Sequence, residues 1–142
     1  MLNDNVREFI AQAIAGSPHA RFEGFRLDEV APDRAVLRLP HASHNMNGSG
    51  RINGGVTLAL IDTAATCAAW ACNRVVPGET RGTTVAVSTN FLAPGGATDL
   101  LAESRVLRRG GNLTIVQVTV RDGEGEIATA LVTYRLGLKP GD

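Results

Sequence analysis

The sequence predicts an α+β domain in which one curved antiparallel sheet wraps around a single long, buried central helix. Three features point there. From Gly54 to about Asn73 the chain is dominated by Ala, Leu and Ile, and no proline interrupts it until Pro77. After this stretch come four segments rich in Val, Thr, Ile and Leu: TTVAVSTNFLAP, ATDLLAESRVLRR, NLTIVQVTVRD and EIATALVTYRL. The turns between them, PGG, GG and DGEG, are spaced for antiparallel hairpins rather than for the helical crossovers of a parallel sheet. A chain of 142 residues is long enough for one core and short for two, so a single domain is expected over 1–142.

The elements follow in order. Asn5 is placed to cap a first helix, with Glu8 three residues on and Val6, Phe9, Ile10, Ala13 and Ile14 at helical spacing. Gly16, Ser17 and Pro18 stop it. FRLDEV and AVLRLP, joined by APDR, read as a hairpin. A polar loop, HASHNMNGSGRI, leads to Gly54-Gly55, which open the long helix. That helix is apolar on nearly all sides, so the rest of the protein must surround it.

Composition narrows the function classes. Basic and acidic residues number 14 each, so no global field gathers nucleic acid or an anionic membrane. One Trp and one Tyr offer no stacking platform for bases. The first residues lack the basic start and apolar core of a signal peptide, and the stretch from Val56 to Cys72 is short for a membrane span. A cytoplasmic protein is expected. Cys67 and Cys72 read as small core residues, and Trp70 as core. His41 and His44 lie in a loop with no evident third ligand, so no metal and no cofactor are expected.

Two motifs invite chemistry. NGSGRINGG lacks the Gly-Lys-Ser/Thr ending of a phosphate loop, and the G-x-G-x-x-G spacing fails at Asn53. What remains is physical: glycines allow close approach to the backbone, and the first turn of a helix leaves N–H groups free to stabilise an oxyanion. Tight packing of the helix start explains the same glycines. Asp62 is the second motif, a carboxylate among Leu58, Ala59, Leu60, Ile61, Ala64 and Ala65. It needs hydrogen-bond partners or a wet cleft, because an isolated buried charge costs several kcal/mol or more. Either a working site or a polar helix edge shared with Thr63 and Thr66 satisfies that need.

The string from Asn47 to Gly55, followed by Leu60-Ile61-Asp62-Thr63-Ala64, resembles the hotdog-fold acyl-CoA thioesterases of the phenylacetate-degradation type. In that family a loop Asn and Gly precede a His-Gly-Gly at the start of the central helix, and an Asp follows within Leu-x-Asp-x-Ala. Phe91-Leu92-Ala93-Pro94 looks like the strand before the family's third turn, and Arg108-Arg109-Gly110-Gly111 like a later hairpin turn. The resemblance implies a homodimer, often a dimer of dimers, with active sites at the dimer interface. It also implies an acyl-CoA substrate. Carried over, the Gly55 N–H, with Gly54 adjacent, polarises the thioester carbonyl and Asn47 orients it. Asp62 is then the base or the nucleophile, and Thr84 holds the attacking water.

Asn53 stands where the family has His; it can orient by hydrogen bonding but cannot transfer a proton. The resemblance places the acyl pocket near Phe91. Arg108 and Arg109, or the Arg81-Gly82 loop, could bind the phosphates of coenzyme A, or be solvated hairpin residues. Seven residues separate Gly55 from Asp62, about 10 Å along a helix, so one chain does not readily bring both to one carbonyl. Two antiparallel helices can. The alternative function on the same fold is an acyl-CoA-binding or assembly protein without turnover.

Overall fold

The computed structural model describes residues 1–137, and the last five residues of the expected 1–142 span lie outside it. The expected class is what forms: a six-stranded, wholly antiparallel sheet packed around one long helix.

Helix α1 (Asp4–Phe9) runs directly into a π-helical turn over Ile10–Ile14. Its N-cap is Asn3 rather than Asn5, whose side chain instead accepts from the Val6 N–H at 2.9 Å. The π turn closes with a bond from Ala15 N–H to the Ile10 carbonyl, five residues back, at 2.9 Å. That extra residue rotates the buried stripe, so Val6 and Ile10 are followed inward by Ala15 while Ala13 faces solvent. A short helix α2 (Pro18–Glu23) follows, where the sequence reading saw only a stop. Ser17 caps it, Pro18 sits in its first turn, and Gly24 ends it in the left-handed conformation at φ 81°.

Strands β1 (Arg26–Ala31) and β2 (Arg34–Leu39) form the expected hairpin. The long helix α3 (Gly54–Trp70) stops short of Asn73 because Ala71 leaves helical geometry. Then β3 (Arg81–Phe91), β4 (Leu100–Arg109), β5 (Leu113–Arg121) and β6 (Glu126–Gly137) complete the sheet in the order β1-β2-β4-β5-β6-β3. Alternation aims Val116, Val118 and Val120 of β5 and Ala128, Ala130 and Val132 of β6 at α3. Ser104 Oγ lies 2.8 Å from the Ala64 carbonyl of α3 and 3.0 Å from the Ala35 carbonyl of β2, so its proton ties helix to sheet inside the core.

Strand β3 is the exception. It is an edge strand, and it leaves Val85, Val87 and Phe91 exposed. A bulge between Thr84 and Ala86 shifts the parity of its alternation. Gly82 and Thr84 pair with Leu136 and Tyr134, and beyond the bulge Val87, Thr89 and Phe91 pair with Val132, Ala130 and Ala128. All five therefore share the concave face that looks toward α3.

Both cysteines are free. Cys67 is fully buried, and burial pushes its thiol up to about 12; Cys72 is half-buried. Trp70 donates from Nε1 to the Tyr134 hydroxyl at 2.7 Å in the core and stacks against Phe9 at 5.0 Å between ring centroids. The Tyr134 ring occupies the space a Cβ on Gly82 would need, with a closest approach of 2.6 Å. Gly82→Ala is expected to overpack this corner and cost about 1–3 kcal/mol, read as a shifted urea midpoint with an unchanged slope.

Candidate active site

The start of α3 is set by Asn53. Its backbone is extended (φ −64°, ψ 129°), and its Oδ1 accepts from the Gly55 N–H at 2.8 Å and the Val56 N–H at 3.2 Å. Asparagine at this position is among the best helix N-caps, so the residue in the family's His position has a local structural role. The consequence bears on the expected oxyanion donor: the Gly55 N–H is already bonded. The Gly54 N–H, first in the helix, has no acceptor among the described residues. Gly54 also faces Phe91, whose Cζ would lie 3.5 Å from a Cβ built there.

The loop before α3 is tied at both ends. Asn47 Oδ1 accepts from the N–H groups of Ser49 (2.9 Å) and Arg51 (3.1 Å), and the Asn47 N–H donates to the Arg51 carbonyl at 2.7 Å. Ile52 N–H donates to Gly95 O at 2.7 Å, which fixes the loop against the segment that follows β3. That seam needs Gly96 at φ 102°, since a Cβ there would lie 2.5 Å from Ile52 Cβ.

Asp62 sits two turns into α3, half-buried, and faces the concave side of β3. Thr84 Oγ1 donates to Asp62 Oδ1 at 2.6 Å. Oδ2 accepts no hydrogen bond among the described residues. Thr63 and Thr66 do not partner the carboxylate; their hydroxyls donate to the carbonyls four residues back, of Ala59 and Asp62. Asp62 and Thr84 line a groove of about 570 Å³ whose other walls are Leu58, Ala59, Val87, Thr89 and Phe91. Behind them, burial pushes the Tyr134 phenol up, and the nearby Asp62 charge adds to the shift against the Trp70 hydrogen bond.

Gly54 and Asp62 are eight residues apart, about 12 Å along the helix, so within one chain they do not meet at one atom. A second groove of about 450 Å³ lies on the other side of Phe91, walled by Asn47, Ser49, Arg51, Leu92 and Pro94. The structure thus gathers Asn47, Asn53, Gly54, Gly55 and Phe91 at the helix start, and Asp62 with Thr84 farther along.

Arg108 and Arg109 are not brought to either place. Arg109 is mostly buried, held by Asp33 Oδ1 at 2.7 Å and donating to the Ala69 carbonyl at 2.9 Å, at the far end of α3. Arg108 is exposed and pairs in register with Ile115 on the outer face. Arg81 donates to the carbonyls of Gly78 and Thr80. His41 is occupied as well, with its N–H on Asp99 at 2.8 Å and Nδ1 on the Gly96 carbonyl at 2.8 Å.

Sequence reasoning missed Leu58, Val87, Thr89 and Arg51 as groove walls. The β3 bulge hides Val87 and Thr89 from period-two counting, whereas the cap at Asn53 was legible as an Asn directly before a helix start.

The profile of the thioesterase superfamily matches residues 49–129. An inferred esterase from Deinococcus radiodurans is 30% identical over 116 residues, covering 80% of this chain and 69% of that one. A thioesterase family protein from Silicibacter pomeroyi has a similar structure: TM-score 0.85 and 25% identity, over 94% of this chain and 99% of that one. A hypothetical thioesterase protein from Streptococcus pneumoniae, solved with coenzyme A, shares the fold at TM-score 0.71 and 17% identity, over 82% and 88% of the two chains.

Removing the cap tests the local account of Asn53. Asn53→Ala should lower stability by about 1 kcal/mol through the two orphaned N–H groups, measured by urea unfolding.

Proposed function

Because the chain belongs to the thioesterase superfamily, we propose that it is an acyl-CoA thioesterase of the phenylacetate-degradation type, working as a homodimer and assembling further as a dimer of dimers. The observation that carries this reading is Asp62: a carboxylate held by one neutral hydroxyl, with its second oxygen unbonded among the described residues, in the wall of a mostly apolar groove. The Streptococcus pneumoniae relative's coenzyme A makes that carrier the one to test.

In the proposed reaction, Asp62 takes a proton from water as the water oxygen adds to the thioester carbonyl carbon. The carbonyl oxygen becomes an oxyanion and accepts from the Gly54 N–H, with the α3 dipole adding its field. Collapse breaks the C–S bond, and the proton on Asp62 goes to the departing thiolate, giving free acid and thiol. A direct attack by the carboxylate, forming an anhydride that water then cleaves, uses the same residues. The Gly54 N–H replaces Gly55 as donor because Asn53 already holds the latter. Thr84 positions Asp62 and, through its lone pairs, the water.

The dimer is supported by two features. The concave side of β3 and the adjoining helix expose Leu58, Val87 and Phe91, an apolar row on an unpaired edge of the kind proteins cover. The separation of about 12 Å between Gly54 and Asp62 is bridged when each site takes one residue from each chain.

Asp62→Asn is expected to lower thiol release from acyl-CoAs by about 10²–10⁴-fold with the fold intact. Gly54→Pro removes the N–H at the helix position that best accepts proline and should lower kcat by about 10²–10³-fold, while Gly54→Ala, which adds the Cβ and keeps the N–H, retains most activity. Mixed dimers of the Asp62→Asn and Gly54→Pro chains should regain activity through their one intact site; no recovery from two well-folded chains would sink the shared-site reading. The self-capped Gly55 and Val56 amides also suit a protein that binds acyl-CoA without turnover. That second reading takes over if the parent chain binds acyl-CoAs and releases no thiol from aryl, short-chain or long-chain members.

A further inference from the structure

Gly95 and Gly96 are buried, yet they lie between β3 and β4, outside both strands. Buried peptide groups need partners, and here two side chains from distant parts of the chain supply them. The Gly96 N–H donates to Asp122 Oδ2 at 3.2 Å, and the Gly96 carbonyl accepts from His41 Nδ1 at 2.8 Å, partners 26 and 55 residues away. A carbonyl only accepts, so Nδ1 carries a proton. Approach is close on both sides: a Cβ on Gly95 would lie 2.8 Å from Asp122 Oδ2, and one on Gly96 2.5 Å from Ile52 Cβ.

Both side chains are anchored in their turn. Asp122 Oδ1 accepts from the Glu124 N–H at 2.8 Å and the Gly125 N–H at 3.2 Å, which builds the β5–β6 turn. The His41 N–H donates to Asp99 Oδ1 at 2.8 Å. Neither His41 nor Asp122 lines the groove of Asp62 or the groove beyond Phe91, so their route to either groove is the backbone they hold.

That backbone leads to the start of α3. The Gly96 N–H and the Gly95 carbonyl belong to one planar peptide group, so holding one end orients the other. Asp122 grips the N–H end, and the carbonyl end accepts from the Ile52 N–H at 2.7 Å. On its other side Ile52 is bridged to Met46, and the next residue, Asn53, donates its N–H to the Asn45 carbonyl at 2.8 Å. Ile52 is thus fixed from two sides, two residues before Gly54, whose N–H has no acceptor among the described residues. A misplacement of about 1 Å, even one caused far from the chemistry, can cost about 10²-fold in rate, so such a support should show in turnover.

We propose that Asp122 and His41 are positioning residues for the Gly54 N–H, which they align by locking the Gly95–Gly96 peptide against Ile52. The inference rests on the thioesterase reading and deepens it, giving the proposed oxyanion donor a support outside both grooves.

Asp122→Asn separates the clamp from the turn. Its one carbonyl oxygen keeps the two bonds that build the turn, and its amide then sets N–H groups against the Gly96 N–H, itself a donor. Thiol release is followed on whichever aryl, short-chain or long-chain acyl-CoA the parent turns over best, with folding checked by circular dichroism and urea unfolding. Asp122→Asn should lower kcat about tenfold and leave KM within about twofold of the parent. His41→Ala should act alike, and His41→Asn, whose Nδ2 stands as many bonds from the backbone as Nδ1, should restore most of the loss. Thr98→Val breaks a different bond between the same segment and turn, from the Gly123 N–H to Thr98 Oγ1 at 2.8 Å, and should match the parent. Added to Gly54→Pro, Asp122→Asn should lower kcat little further, because no N–H remains to be aligned. Amide proton–nitrogen spectra give a readout without turnover: Asp122→Asn should shift the Ile52 and Gly54 resonances.

Parent turnover with an unchanged kcat in Asp122→Asn overturns the proposal and leaves the hydrolase reading standing. So does a loss that multiplies in full with that of Gly54→Pro, an equal loss in Thr98→Val, or a His41→Asn chain no better than His41→Ala. A parent that releases no thiol from any of the acyl-CoAs sinks the hydrolase reading instead. The spectra then decide the clamp: shifted Ile52 and Gly54 resonances in Asp122→Asn keep it, and unshifted ones overturn it.

Discussion

Helix α3 carries apolar or small side chains nearly all round, and no single sheet face can cover such a surface. Leu60, Ile61, Ala64, Ala65, Cys67, Ala68 and Ala69 are fully buried, and they do not lie on one narrow stripe. The sheet must therefore curl, with β2, β4, β5 and β6 on the helix and the outer strands turned around it. Small residues let the strands come close, and Ser104 satisfies helix and strand carbonyls where they meet. The curl runs out at β3. Its concave side faces the part of α3 that holds Leu58, Ala59 and Asp62, touching it through the Thr84–Asp62 hydrogen bond, and the groove lined by Asp62 is the remaining gap.

The backbone at the start of α3 follows from a second constraint, the orphan N–H groups of a helix N-terminus. Asn53 satisfies those of Gly55 and Val56, and the Thr57 N–H reaches the Asn53 carbonyl at 3.3 Å. One donor is left over, at Gly54, where a side chain would sit against Phe91. The next three N–H groups are satisfied, so the Gly54 N–H is the one amide of the first turn left able to meet a ligand. The same accounting explains why both glycines are there: Gly54 keeps Phe91 close, and a Cβ on Gly55 would lie 3.0 Å from the capping oxygen.

Much of this was legible in the residues. The long helix, the first hairpin and the four later strands follow from periodicity and turn chemistry, Asp62 stands out as a carboxylate in an apolar run, and Thr84 and Phe91 follow from the family resemblance. What was hidden depends on distance or on a single inserted residue. The role of Arg109 is decided by Asp33, 76 residues away in sequence, which no local pattern reveals. The π turn after Phe9 and the bulge after Thr84 each add one residue to a period, and so reverse which side chains face inward. Helix α2 was readable from Ser17-Pro18 and Gly24, signals that mark a start as well as a stop.

The partner chosen for Asp62 says something about what the groove asks of it. A carboxylate in such a position could have been satisfied by an arginine, as Asp33 is by Arg109 at the other end of the molecule. A cation there would favour the charged form and make the group a poor proton acceptor, while its bulk and its hydrogen bonds would fill the groove. A threonine hydroxyl, small and neutral, does much less of both. It gives one directed hydrogen bond at 2.6 Å, fixes the carboxylate against β3, and keeps its own lone pairs for a water. Among the described residues the second oxygen of Asp62 accepts no hydrogen bond, although the Thr89 hydroxyl stands in the wall of the same groove. That combination, position without neutralisation, is what the base or nucleophile proposed for Asp62 would require.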